Sequence, residues 1–157
     1  MSAPPLALGV EAAGVVRAIG AAVSRFRVGD EVLTHGVPLQ RQGTWAEALL
    51  VPEGQAARKP AGMSFPVAGL FPVPALIADQ VLSEAVALQR GERILIHGAG
   101  GVTGGVLVAV AADLGGWVIA TAGPVSAARV RSYGASVVLD YHQSHPAPRG
   151  NPAGYVI

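Results

Sequence analysis

Gly98, Gly101 and Gly104 fall three apart within the stretch Arg93-Ile94-Leu95-Ile96-His97-Gly98-Ala99-Gly100-Gly101-Val102-Thr103-Gly104-Gly105. Glycines leave room for an anion to reach backbone N–H groups, so the chemistry this spacing suits is the holding of a pyrophosphate. The candidate contacts are Gly98, Ala99, Gly100, Gly101, Val102, Thr103 and Gly104. The commoner G-x-G-x-x-G form would place its last glycine at 103, where Thr103 stands. In a chain with 21 glycines such spacings also arise by chance, and a plain tight turn is the alternative reading.

The elements around the glycines decide between the two. Ile94-Leu95-Ile96 is the continuous aliphatic run of a strand buried in a parallel sheet. A helix from near Thr103 would turn its positive end and unpaired N–H groups toward the anion. That helix carries Val106, Leu107 and Val110 and stops at Leu114-Gly115-Gly116. A second strand, Trp117-Val118-Ile119-Ala120-Thr121, follows, then a helix N-capped by Ser126 and ending near Tyr133-Gly134, then a third strand, Val137-Val138-Leu139. The order β-α-β-α-β is the first half of a doubly wound nucleotide-binding domain, and it favours dinucleotide binding over a bare turn. An NAD-selective site places an acid at the end of its second strand, whereas this chain continues Thr121-Ala122-Gly123-Pro124, which favours NADP. From His142 onward the tail reads as loop.

Upstream, Gly9-Val10-Glu11-Ala12-Ala13-Gly14-Val15-Val16-Arg17-Ala18-Ile19-Gly20 suits a curved strand of a small barrel. The Gly29-Asp30 turn leads into a strand, Glu31-Val32-Leu33-Thr34, and residues 35–43 read as loop. Residues 44–51 are expected to form a third strand closed by Pro52, and residues 54–60 to be irregular. Pro66, Pro72 and Pro74 mark residues 62–74 as a packed junction that is neither helix nor strand. Ile77, Val81 and Leu88 predict a helix over 75–88, with Gly91 as its stop.

Composition narrows the function classes. Of 157 residues 51% are hydrophobic and only 13% charged, against a usual charged share of about 25%, so much apolar surface must be buried. A net charge of +1 with scattered basic residues offers no footprint for nucleic acid. The absence of cysteine rules out disulfides and thiolate metal sites and is compatible with the cytoplasm. The start Met1-Ser2-Ala3-Pro4-Pro5 lacks the pattern of a secretory signal. Residues 94–112 are uncharged but crowded with glycine in one half, and so read as loop and helix, with no membrane partner implied.

Four stretches occur in one order: Leu8-Gly9-Val10-Glu11-Ala12-Ala13-Gly14-Val15-Val16, Arg25-Phe26-Arg27-Val28-Gly29-Asp30-Glu31-Val32, Gly43-Thr44-Trp45-Ala46-Glu47 and Gly91-Glu92-Arg93-Ile94-Leu95-Ile96-His97-Gly98-Ala99-Gly100-Gly101-Val102. Together they resemble the medium-chain dehydrogenase/reductase superfamily, in its zinc-independent quinone reductase and enoyl reductase branch. The resemblance implies an α/β protein: a partial GroES-like β-barrel with its junction over 1–74, then the first half of a Rossmann fold over 75–157. It implies NADP(H) as cofactor, a small-molecule substrate, and further cofactor contacts at Thr121, Gly123, Ser126, Arg129 and Tyr141. Arg129, or in its place Arg131, would grip the 2′-phosphate together with Tyr141; the alternative for either arginine is a solvated helix face. Zinc-dependent members have a metal-binding His where Val10 stands, and cysteine ligands this chain lacks, so no zinc is expected. Glu11 is expected to hold the turn before its strand by hydrogen bonds. His97 is expected to bond locally, His142 and His145 to be a solvated pair, and His35 carries no assigned chemistry.

The implied activity is an NADPH-dependent reduction of a quinone or an α,β-unsaturated carbonyl, by this chain or by a protein of which it is a fragment. No catalytic residue is assigned. The alternatives are a catalytically silent NADP-binding or structural remnant, and an apolar interaction module with no nucleotide site. Family members extend beyond the matched region at both ends, so the chain is expected to be a middle piece. In the strand order 3-2-1-4-5-6 its first Rossmann strand, residues 93–97, would then become an exposed apolar edge and favour self-association.

Overall fold

The structure is a computed structural model, and it describes residues 7–36, 43–143 and 154–157. The chain divides into two compact units, Met1–Val73 and Pro74–Ile157.

The first unit holds an antiparallel sheet of order β1-β2-β3: β1 (Glu11–Val15), β2 (Glu31–His35) and β3 (Ala56–Arg58). Glu11 lies opposite His35 and Val15 opposite Glu31, so the alternating run expected over 9–20 pairs only in its middle. His35 closes β2 and does not begin a loop; most of the loop expected beyond it, residues 37–42, lies outside the described residues. The third strand differs from expectation. Residues 44–51 form no strand, and Trp45 and Leu50 are 74% and 92% exposed. β3 follows a 3-10 turn, Glu53–Gln55, inside the stretch expected to be irregular. Ala-Ala-Arg has little β propensity of its own. Pairing decides instead: Lys59 N–H bonds to Glu31 O, the Lys59 ammonium lies 2.9 Å from the Glu31 carboxylate, and Arg58 lies 3.0 Å from Asp30.

The proline-rich junction is also more regular than expected. It contains a short helix α1 (Phe65–Ala68) and the start of α2 (Pro72–Asp79). Pro66, Pro72 and Pro74 all fall in first turns, where a missing N–H breaks no intrahelical bond. Glu11 acts on this start: its Oε1 accepts the Val73 N–H at 2.7 Å, so its partner is a helix start and not the turn before β1. Beyond α2 the helix widens into a π-helical segment, Gln80–Ala85, and ends with Ala87 at φ 51°.

The second unit is a parallel sheet of order β6-β5-β4-β7 with helices: β4 (Arg93–Ile96), α3 (Val102–Asp113), β5 (Trp117–Thr121), α4 (Pro124–Ser132), β6 (Val137–Leu139) and β7 (Tyr155–Val156). Ile94, Ile96, Val108 and Val118 are fully buried, each worth about 1.5–3 kcal/mol of hydrophobic stabilisation. Three expectations are corrected here. Helix α4 begins at Pro124 with Gly123 as its N-cap, because the fixed φ of Pro124 suits a first helical residue; Ser126 sits within the first turn. The tail is not loop to its end, and β4 is not an open edge. β7 pairs alongside β4, with Gly154 N–H on Arg93 O, Ile157 N–H on Leu95 O and His97 N–H on Ile157 O. Three apolar residues are too few to signal a strand alone, but a free row of β4 donors and acceptors captures them.

Two carboxylates in the first unit titrate below their ordinary range. Asp30 is lowered by its hydrogen bond to Arg58 and by the Arg27 N–H; Glu53 is lowered by the N–H groups of Arg25 and Ser24. A carboxyl whose folded pKa is depressed contributes stability above its unfolded value and loses it as pH falls through the folded one. The double variant Asp30→Asn/Glu53→Gln is therefore expected to lose less stability than the wild type between about pH 5 and about pH 2. Urea midpoints across that range test it, and equally steep loss in both proteins would contradict it.

Candidate functional site

At the carboxyl end of β4 the chain must leave the sheet and enter α3 within five residues. Gly98 takes φ 68°, a conformation that suits glycine. Gly101 N–H then closes the turn onto Gly98 O at 3.0 Å, and Gly101 is the N-cap of α3. Gly104 is forced by packing: a Cβ there would lie 2.5 Å from Gly98 O and 2.8 Å from Ala99 Cα. Gly105 faces the Tyr133 ring, which would stand 3.1 Å from an added Cβ. Helix α3 therefore presses its first turn directly onto the loop backbone.

The loop is held from outside by β5 and α4. Thr121 Oγ1 accepts the Gly98 N–H at 3.1 Å, and Thr121 O accepts the Ala99 N–H at 2.9 Å. Arg129 Nη2 donates to Gly100 O at 2.8 Å. A Cβ on Gly100 would collide with Ser126 Oγ, and that hydroxyl donates to Gly123 O at 3.2 Å. Tyr141 closes the far side: its Oη would stand 2.9 Å from a Cβ on Gly123. The structure thus gathers Ser126 and Arg129 around Gly100, and Tyr141 against Gly123. The Arg131 side chain makes no hydrogen bond or ion pair among the described residues.

The remaining donors define what the site can do. The N–H groups of Gly98, Ala99, Gly101 and Gly105 all have backbone or side-chain acceptors. Those of Gly100, Val102, Thr103 and Gly104 have no partner among the described residues. They lie at the positive end of a twelve-residue helix whose first turn carries no acid. Spare N–H groups, a helix start and an arginine at the loop fit a bound anion, and no carboxylate stands in residues 121–124 to oppose a phosphate.

Other candidate residues are placed elsewhere. His97 Nδ1 lies 3.4 Å from Thr121 Oγ1, a local contact. The His142 ring stands against Tyr141, with centroids 4.3 Å apart, while His145 lies outside the described residues. No group of three or more metal-ligating side chains comes together among the described residues. No described helix is long and apolar enough to cross a membrane. One feature escaped the sequence. The first unit opens a cavity of about 930 Å³ lined by Val15, Phe26, Val32, Thr44 and Leu50, and the buried Thr44 hydroxyl has no hydrogen-bond partner among the described residues. Glycine-separated small residues in β1 give no sign of an interior that is left open.

The family model of the alcohol dehydrogenase GroES-like domain matches residues 1–61. A quinone oxidoreductase of Pseudomonas aeruginosa is 34% identical over 146 residues, covering 92% of this chain and 44% of that protein. Among solved structures, an alcohol dehydrogenase superfamily protein from Novosphingobium aromaticivorans superposes with a TM-score of 0.85 at 35% identity, covering 89% of this chain and 42% of the other. A mycobacterial protein solved in complex with NADPH gives a TM-score of 0.77 at 30% identity, covering 88% and 43%. The chain spans less than half the length of each of these relatives.

The packing at Gly104 yields a direct test. Gly104→Ala would drive a methyl into backbone atoms that cannot rotate away, and is expected to destabilise by about 1–3 kcal/mol. Gly98 has open space at its Cβ position but a left-handed φ, so Gly98→Ala is expected to cost only about 1–2 kcal/mol. Chemical denaturation of both variants measures it; a neutral Gly104→Ala would contradict the contact.

Proposed function

Because the chain belongs to the medium-chain dehydrogenase/reductase superfamily, we propose that it serves an NADPH-dependent oxidoreductase acting on a quinone or an α,β-unsaturated carbonyl. The observation that carries this reading is the set of spare N–H groups at the start of α3, opening onto a glycine loop with Arg129 beside it. Gly100, Val102, Thr103 and Gly104 would donate to the pyrophosphate. Arg129 and Tyr141 would hold the 2′-phosphate, Arg129 through charge and forked donors and Tyr141 through its exposed hydroxyl. Ser126, against Gly100, would border the same pocket, with Gly123 leaving room beside it. When bound, the nicotinamide supplies the hydride, and the chain's part is to orient the dinucleotide. The NADPH held by the mycobacterial neighbour supports a nicotinamide cofactor, and the lack of an acid at the end of β5 favours NADP.

A second reading, nucleotide binding without turnover, follows from the same loop, because every residue assigned here binds cofactor and none is placed to donate a proton to a substrate. A quinone-dependent oxidation assay separates the two readings.

Titration of the chain with NADPH and with NADH, followed by nicotinamide fluorescence, tests the cofactor assignment. Saturable binding with a preference for NADPH is expected. Because Arg129 also holds the Gly100 carbonyl, Arg129→Ala should weaken both nucleotides, NADPH about tenfold more than NADH. Equal weakening of both would remove Arg129 from the 2′-phosphate, and failure of the wild type to bind either nucleotide would overturn the reading.

A further inference from the structure

Thr121 stands at the end of β5, where dinucleotide-binding folds commonly place a residue that touches the adenosine ribose. Its polar atoms are turned elsewhere. The hydroxyl oxygen accepts the Gly98 N–H at 3.1 Å, and the carbonyl of the same residue accepts the Ala99 N–H at 2.9 Å. One residue of β5 thereby holds two successive N–H groups of the loop. The hydroxyl hydrogen has its own acceptor within reach, because Nδ1 of His97 lies 3.4 Å away. With Nδ1 unprotonated, Thr121 donates to His97 while accepting from Gly98, and both of its roles are filled within the protein.

We propose that Thr121 is a positioning residue of the glycine loop and not a contact of the nucleotide. The proposal rests on the reading of this loop as a pyrophosphate site. Gly98 is the residue that reverses the chain through its left-handed φ, and its carbonyl is the atom against which Gly104 packs. Fixing the Gly98 N–H therefore fixes the plane of the peptide that enters the turn. It also ties the carboxyl end of β5 to that of β4, two strands whose ladder ends one residue earlier, at Ile96 and Ala120. Beyond the ladder the Thr121 carbonyl takes the Ala99 N–H, and the threonine hydroxyl adds a second bond, to the Gly98 N–H, from a side chain. The same geometry explains why the free donors begin at Gly100: the two N–H groups before it are taken by Thr121, which directs an anion toward the start of α3.

The role differs from a ribose contact in a measurable way. A loop-positioning residue acts on the pyrophosphate, which NADPH and NADH share, whereas a ribose contact acts where the two differ. Thr121→Val keeps the shape of the side chain and removes the oxygen; Thr121→Ser keeps the oxygen. Nicotinamide fluorescence titrations should show Thr121→Val weakening NADPH and NADH by the same factor, about five- to tenfold, and Thr121→Ser returning both to within about twofold of the wild type. In the nucleotide-free protein, the Gly98 amide proton should move upfield and exchange faster in Thr121→Val, and recover in Thr121→Ser. A changed NADPH-to-NADH ratio in Thr121→Val, or an unmoved Gly98 amide, would overturn the proposal. Should the wild type bind neither nucleotide, the pyrophosphate reading fails, and the Gly98 amide alone then decides whether Thr121 holds the loop.

Discussion

The contact of Gly104 with the backbone of Gly98 and Ala99 is the constraint from which the second unit takes its shape. With any larger residue, α3 would have to stand off from the end of β4. At this closeness the loop has no room for side chains along one side, so its carbonyls and N–H groups must be satisfied by neighbours or left to a ligand. Neighbours take part of the set. Thr121 takes two N–H groups, Gly98 O takes a third, and Arg129 takes the Gly100 carbonyl. What remains is a row of donors at the start of α3.

That division of labour explains how a chain spanning less than half of its relatives' length keeps a formed loop. Every group that shapes the loop comes from β4, α3, β5 and α4. The parallel pairing of β4 with β5 and the fully buried Ile94, Ile96, Val108 and Val118 give these elements a common core. β7 covers the other edge of β4, and Ile157, just beyond it, is bonded to both Leu95 and His97. The first unit is less closed. Its three-stranded sheet leaves a large apolar cavity, exposed Trp45 and Leu50, and a buried Thr44 hydroxyl without a partner among the described residues.

The sequence was most legible where a local pattern and a tertiary need coincide. Ile94-Leu95-Ile96, the glycine loop and Trp117-Val118-Ile119-Ala120-Thr121 are buried strands and a turn in any context that keeps the sheet, and the second unit follows them closely. It was least legible where pairing overrides propensity. Ala56-Ala57-Arg58 is a strand because β2 and the carboxylates of Asp30 and Glu31 hold it, while the more strand-like residues 44–51 form none. Tyr155-Val156 is a strand because β4 offers an edge, and the prolines at 66, 72 and 74 start helices because a first turn tolerates them. At the site, the family resemblance pointed to Ser126, Arg129 and Tyr141, but the hydrogen bonds of Thr121 to the loop depend on the angle between two strand ends, which no spacing encodes.

The central claim is that the donors left free at the start of α3 form the anion site. Amide chemical shifts of the isotope-labelled chain, followed during titration with NADPH, test it most directly. The amides of Gly100, Val102, Thr103 and Gly104 are expected to shift together and saturate at one nucleotide concentration, while Gly105, already bonded to Gly101 O, moves much less. Shifts confined to other residues, or none in these four under saturating nucleotide, would contradict it.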